Sequence, residues 1–137
     1  MKRLRHPDRL GLHLRVVLGA EVAMGPGKAE LLDGIALTGS IAAAGRRMGM
    51  SYKRAWLLVE AMNAMFAEPL VDAAKGGAGG GGAALTPLGT QMLAAYRKLE
   101  ATAAASGAAE LAQMRAALPP SQPGRATRSG RAPATPR

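Results

Sequence analysis

The chain has 137 residues, enough for one ordinary domain with a tail, and its 18 Lys and Arg residues against 9 Asp and Glu residues give a net charge of +9. Cysteine is absent, which excludes disulfides, thiolate nucleophiles and cysteine-based zinc or iron–sulfur sites. No apolar run reaches the roughly 18 residues of a membrane span, and no signal-peptide core follows the basic N-terminus. We therefore expect a cytoplasmic protein without a membrane partner, attracted to polyanions.

The first half of the chain is patterned as one strand followed by three helices. Ser40 and Ser51 are good N-caps, and Gly49 can adopt the positive φ that ends a helix before a tight turn. Pro69 limits the C-terminal extension of the last of these helices. The predicted elements are a strand over 12–18, a helix over 28–37, a short helix over 41–48 and a third helix over about 51–66.

The second half is patterned as a hairpin followed by a long helix. Short strand candidates at 70–74 and 83–86 flank the glycine tract 75–82, which predicts a β-hairpin with a long tip. Thr86 is an N-cap, and Pro87 after it suits the first position of a helix. That helix has a candidate break at Ser106-Gly107, after which the helical pattern resumes.

A short helix, a three-residue turn containing glycine and a longer helix form a helix-turn-helix, and a hairpin directly after it is the wing of a winged helix. At 100° per residue, the third helix separates an apolar side from a basic one. The apolar side carries Ala55, Trp56, Val59 and Met62, and the opposite side carries Lys53, Arg54 and Leu57. The predicted fold class is mainly α with a small β-hairpin, a winged helix-turn-helix with a long C-terminal helix.

The predicted organisation has four parts. A basic N-terminal arm covers 1–11, the winged helix-turn-helix with the start of the long helix covers 12–105, and a helical extension covers 106–118. Residues 119–137 contain arginines and prolines but no acid and no large apolar residue, so they cannot bury enough surface to offset their ordering entropy. We expect that segment to be a disordered basic tail.

The cations near the turn indicate nucleic-acid binding, because a recognition helix reads base edges from its N-terminal half and no acid occurs between 40 and 59. We predict phosphate contacts from Arg46, Arg47, Tyr52 and Lys75, base-edge contacts from Ser51, Lys53 and Arg54, and close backbone approach at Gly77 and Gly79 of the wing. Tyr52 has an alternative role in packing beside the turn, and the glycine tract could be a surface loop without contacts. Leu57 is either an ordinary exposed apolar residue or a contact for a thymine methyl.

We expect neither an enzyme nor a metal or cofactor site. His6 and His13 are isolated, and the acids are scattered singly without paired-carboxylate spacing. The match to G-x-G-x-x-G at 77–82 carries no weight, since any glycine tract satisfies it and no acid follows about twenty residues later.

Three segments carry a family resemblance: TGSIAAAG at 38–45, GMSYKRAW at 49–56 with Met62-Asn63, and the glycine-rich GGAGGGGAALT at 76–86. They resemble the N-terminal DNA-binding domain of ModE-type molybdate-responsive regulators and, more loosely, the helix-turn-helix of LysR-type regulators. The resemblance covers about residues 12–105 and implies a dimeric winged helix-turn-helix that binds an operator. ModE-type regulators sense molybdate through C-terminal domains, whereas only residues 106–137 follow here. The resemblance therefore does not extend to molybdate binding by this chain, and its small-molecule effector stays open.

The sequence predicts a transcriptional regulator that binds double-stranded DNA, with the third helix in the major groove and the wing on the backbone. Aromatics make up only 3% of the chain, so part of the burial could come from a second copy, and we expect a homodimer through the long C-terminal helix. Two other hypotheses stay open. One is a nonspecific architectural DNA-binding protein, and the other is a protein-interaction module that uses the C-terminal helix.

Overall fold

The computed structural model describes residues 10–73 and 82–120. They fall into two compact units, one of residues 13–100 and one of residues 10–12 with 101–120. Most of the predicted N-terminal arm (1–9), the tip of the predicted wing (74–81) and most of the predicted basic tail (121–137) lie outside the described residues.

Helices account for most of the described residues, and two short hairpins accompany them. The elements in chain order are β1 (Val16–Gly19), β2 (Val22–Met24), α1 (Pro26–Thr38), α2 (Ile41–Arg47), α3 (Tyr52–Met65), β3 (Val71–Asp72), β4 (Ala84–Leu85), α4 (Pro87–Ser106) and α5 (Ala108–Ala116). β1 pairs antiparallel with β2, and β3 pairs antiparallel with β4. Within the part of the chain that the structure describes, no helix is both long and apolar enough to cross a membrane.

The first hairpin corrects the prediction of a single strand over 12–18. The strand begins later, at Val16, and the chain then turns back so that Val16 lies opposite Met24. Glu21 adopts a φ of 61° in this turn, a conformation that glycine or asparagine usually supplies. The turn therefore has no recognisable sequence signal, and β2 is too short to show an alternating pattern.

Helix α1 begins and ends at residues suited to those positions. Pro26 lies in its first turn, where a missing N–H costs nothing. Gly39, with a φ of 72°, ends the helix and donates its N–H to the carbonyl of Ile35 at 2.8 Å. Leu31, Leu32 and Ile35 have no exposed surface, so α1 supplies the centre of the core.

Helices α1, α2 and α3 approach one another at pairs of small residues. A Cβ placed on Gly34 would lie 2.9 Å from the Cβ of Ala44, and one placed on Gly45 would lie 2.9 Å from the Cβ of Ala55. Real Cβ atoms do not come this close, so both glycines are required for α2 to lie between its neighbours at this distance. The position of α3 is therefore set by backbone proximity.

The predicted caps of the helix-turn-helix are confirmed. The hydroxyl of Ser40 accepts the N–H of Ala43 at 3.0 Å at the start of α2, and that of Ser51 accepts the N–H of Arg54 at 3.1 Å at the start of α3. Gly49 takes a φ of 73° in the turn between the two helices.

Within residues 13–100, a buried tyrosine and an ion-pair cluster add to the apolar contacts that attach helix α4 to the rest of the unit. Tyr96 is buried and donates its hydroxyl to the carbonyl of Leu14 at 2.6 Å. Arg97 pairs with Asp33 of α1 and donates to Glu100 at 2.8 Å. Burial by itself lowers the pKa of Arg97, but the hydrogen bonds to these two carboxylates outweigh it and raise the pKa above its ordinary value. The arginine stays charged, and α4 is held against α1.

The described residues thus form a mainly α winged helix-turn-helix fold with a small β-hairpin and a long C-terminal helix, which confirms the predicted fold class. The hairpin β3–β4 follows α3 directly, with Val71 opposite Leu85 and Asp72 opposite Ala84. The large apolar residues of the long helix lie in two environments. Leu88 and Met92 pack against the core, whereas Leu99 is 50% exposed.

We predict opposite effects for two glycine-to-alanine substitutions. A Cβ on Gly89 would come within 2.9 Å of the carbonyl carbon of Leu70, and backbone cannot move aside cheaply. Gly89→Ala should therefore lower the free energy of unfolding by about 2 kcal/mol or more. Gly27 lies in α1 with nothing within 4 Å of its Cβ position, so Gly27→Ala should raise it by about 0.5–1 kcal/mol. Denaturant unfolding of both variants is the measurement, and equal effects would contradict the close approach of α4 to Leu70.

Candidate nucleic-acid interface

The N-terminal half of α3 presents one face to the core and the other to solvent. Ala55, Val59 and Met62 are buried, and Trp56 is half-buried against the core, as predicted. The opposite side carries the exposed residues Ser51, Tyr52, Lys53, Arg54 and Leu57. Tyr52 is 58% exposed, so donation to a phosphate and packing beside the turn both stay predictions for it.

The side chains in the first turn of α3 carry the charge sign that is usually disfavoured at helix N-termini. The N-terminal end of a helix is electropositive and is stabilised by acidic side chains. Here the first turn contains no acid, and Lys53 and Arg54 occupy the second and third helical positions after the Ser51 cap. Two cations at a positive helix end are an unfavourable placement. An anion bound there would interact favourably with both cations and with the helix end.

Arg46 and Arg47 add to this positive surface from the end of α2. Both side chains are exposed and lie in the last turn, where the helix dipole favours cations, so their positions also have a structural explanation. The guanidinium of Arg47 leans over α1, since its Nη1 would lie 3.3 Å from a Cβ on Gly34. Among the described residues, neither these arginines nor Lys53 and Arg54 pair with a carboxylate.

The base of the hairpin is fixed to α3 by Asn63, for which the sequence predicted no structural role. Asn63 accepts the N–H groups of Leu70 and Val71 through its side-chain oxygen, at 2.9 and 3.0 Å, and donates its NH₂ group to the carbonyl of Val71 at 3.0 Å. The sequence contains a signal, because an amide follows directly after the core residue Met62. The predicted wing residues Lys75, Gly77 and Gly79 lie outside the described residues.

No metal-binding cluster accompanies this surface in the described ranges. Across residues 10–73 and 82–120, no three His, Asp or Glu side chains lie close enough together to hold a metal ion. The fold defines the class of the domain, which is a winged helix-turn-helix whose third helix has an exposed, basic N-terminal end.

Comparison with known proteins shows what this chain is similar to. It is 54% identical over 78 residues to the molybdenum-pterin-binding protein MopB of Rhodobacter capsulatus, which covers 57% of this chain and 29% of MopB. It is 46% identical over 70 residues to the molybdenum transport protein ModE of Herbaspirillum seropedicae, covering 51% and 26% of the two chains. It is 44% identical over 71 residues to the DNA-binding transcriptional dual regulator ModE of Escherichia coli (strain K12), covering 52% and 27%.

These similarities confirm a relationship to ModE-type proteins in the N-terminal part of the chain. The chain spans less than a third of the length of the curated relatives it matches. No family model matches the chain.

We predict that Arg54→Glu stabilises the fold and weakens binding to duplex DNA. A glutamate three residues after Ser51 completes a capping box and suits the positive end of α3, which should raise the free energy of unfolding by about 0.5–1 kcal/mol. The same change removes a cation from the exposed surface and adds an anion, so affinity for a duplex should fall. The measurements are denaturant unfolding and duplex titration at fixed salt.

The matched control is Lys98→Glu, which changes the net charge equally on an exposed face of α4. If both variants lost the same affinity, net charge alone would explain the effect, and α3 would have no special role.

Proposed function

We propose that this chain acts as a transcriptional regulator that binds double-stranded DNA, with α3 in the major groove and the β3–β4 hairpin on the adjacent backbone. The single observation that carries the proposal is the positive, acid-free start of α3, where two cations lie at an electropositive helix end. A recognition helix of this class contacts base edges with these same N-terminal positions. Ser51, Lys53 and Arg54 are the proposed base-edge contacts.

The proposed phosphate contacts surround this helix end. Arg46, Arg47 and Tyr52 are exposed on the two helices that flank the turn. Lys75 would add a cation from the wing, and Gly77 and Gly79 would allow its backbone amides to approach the DNA closely. Such contacts position a protein on a duplex and supply most of the affinity, whereas base-edge contacts supply sequence preference.

The relatives support regulation as the purpose of this binding. The matched relative in Escherichia coli is named as a DNA-binding transcriptional dual regulator, and others are named for molybdenum transport or molybdenum-pterin binding. The first operators to test are therefore the promoters of molybdenum-uptake genes. The proposed DNA binding by α3 does not depend on which effector, molybdate included, the protein responds to.

A homodimer is part of the proposal. Leu99 is half exposed on α4, beyond the part of the helix that packs on the core. If this face of α4 joins two copies, the protein has two-fold symmetry and its operator is an inverted repeat.

We predict that Arg47→Ala weakens binding to all duplex sequences alike. If Arg47 neutralises one phosphate, its removal should reduce the slope of log K against log salt concentration by roughly one unit. Lys98→Ala removes one charge from the exposed face of α4 and should leave the slope unchanged. Titration of a random-sequence duplex at several salt concentrations provides both slopes, and an unchanged slope for Arg47→Ala would remove this residue from the phosphate contacts.

We predict that Arg54→Lys reduces sequence preference but preserves nonspecific affinity. The guanidinium of arginine can donate two hydrogen bonds to the O6 and N7 of a guanine, and lysine keeps the charge without that geometry. The change should cost roughly 1–3 kcal/mol at a cognate site. Selection from a random DNA pool at matched salt, with the natural protein and the variant, is the measurement.

The outcomes of that selection separate the hypotheses. Failure of the natural protein to select a motif would favour the architectural DNA-binding protein. Identical motifs from both proteins would exclude Arg54 from base contact. Absence of duplex binding by the natural protein would leave the protein-interaction module as the remaining hypothesis.

A further inference from the structure

Beside the cations of α3 lies an open concavity of about 280 Å³ that is lined by Ser51, Lys53, Arg54, Leu57 and Leu58. Unlike pockets that enclose a small molecule, it is open to solvent and is lined only by residues at the start of α3. Its shape therefore suits a protruding group on a larger partner rather than a whole ligand.

Leu57 gives this concavity an apolar side. Its side chain is 53% exposed and follows Lys53 by four residues and Arg54 by three, so it lies next to both on the helix surface. A single exposed leucine needs no explanation in general. This one lies at the centre of the surface proposed to enter the major groove, where packing against an apolar group of the DNA would remove its surface from water and stabilise the complex.

The major groove offers one apolar group to such a side chain. Thymine carries a C5-methyl group on its major-groove edge, and the other bases present hydrogen-bond donors and acceptors there. Three residues of helix advance by about 4.5 Å, comparable to the spacing of successive base pairs. A base contacted by Arg54 and a methyl group contacted by Leu57 would therefore lie on the same or neighbouring base pairs.

Glu60 limits how far this contact extends along α3. It is exposed and follows Lys53 and Leu57 on the same side of the helix, seven and three residues later. A carboxylate at that position would repel the phosphates, so DNA contact ends within the first two turns. The apolar contact of Leu57 then lies between the basic start of the helix and this acidic limit.

We infer that Leu57 is a specificity-determining residue that packs against the C5-methyl group of a thymine in each half-site. The inference rests on the proposed function, and it adds a base preference that the cations do not supply. Burial of one methyl group corresponds to about a fourfold change in affinity, so the effect is measurable against unchanged phosphate contacts.

The test removes the methyl group from the DNA and the leucine from the protein, separately and together. Duplexes of the selected binding sequence are synthesised with deoxyuridine in place of each thymine in turn, which deletes only the C5-methyl group. For the natural full-length chain, one such replacement in a single half-site should weaken binding about fourfold. For Leu57→Ala, the same replacement should change affinity by less than about 1.5-fold, because the contact is already absent.

The matched control is Leu37→Ala. Leu37 is 72% exposed on α1 and does not line the concavity, so this variant should keep the full deoxyuridine effect. Both leucines are exposed, and thermal unfolding should show near-native stability for both variants.

Two results would overturn the inference while leaving the proposed function intact. The first is sequence-specific binding that is insensitive to deoxyuridine at every thymine. The second is a deoxyuridine effect of equal size in the natural protein and Leu57→Ala, which would assign the methyl contact to another residue. Absence of sequence-preferring duplex binding by the natural protein would instead overturn the proposed function and the inference with it.

Discussion

The amide of Asn63 fixes the base of the β3–β4 hairpin to the end of α3, and the start of α4 is bonded to the same stretch of backbone. The amide uses both its oxygen and its NH₂ group on the backbone of Leu70 and Val71. The carbonyl of Leu70 in turn accepts the N–H of Thr86, whose hydroxyl caps α4 and donates to the carbonyl of Pro69. Asn63 therefore joins the end of α3 to the base of the hairpin, and Thr86 joins the base of the hairpin to the start of α4. Loss of the Asn63 amide would leave several half-buried backbone groups unpaired, at about 1–3 kcal/mol each.

Close backbone contact compensates for the shortage of large side chains in this domain. The pairs Gly34–Ala44 and Gly45–Ala55 let three helices approach to distances at which larger residues would collide. Dispersion attraction then acts between main chains as well as between side chains, and α3 has little freedom to shift relative to α2. Because these contacts hold α3 in place, the cations at its exposed end need not contribute to the stability of the fold. The first turn of α3 can therefore depart from the charge preference of helix N-termini.

Local signals in the sequence predicted most of this architecture. The caps at Ser40 and Ser51, the turn at Gly49 and the two faces of α3 all follow from short-range patterns of residue type. The β1–β2 hairpin was missed because Glu21 adopts a left-handed conformation that its residue type does not indicate. The role of Asn63 was missed because its partners lie seven and eight residues away, and its bonds depend on how the chain returns after α3. Which exposed side chains contact DNA depends on the partner and cannot be derived from the chain's own folding.

The hairpin is anchored on both sides of its glycine-rich stretch. Val71 is held by Asn63, and Ala83 donates its N–H to the carbonyl of Gly39 at 2.8 Å, next to the start of the helix-turn-helix. The free energy of closing a loop between two fixed ends grows only with the logarithm of its length, by about 0.6 kcal/mol for each doubling. Residues can therefore be gained or lost between these anchors during evolution at little cost to folding. The number of residues between these anchors is open to natural variation in a way that the spacing of the helices is not.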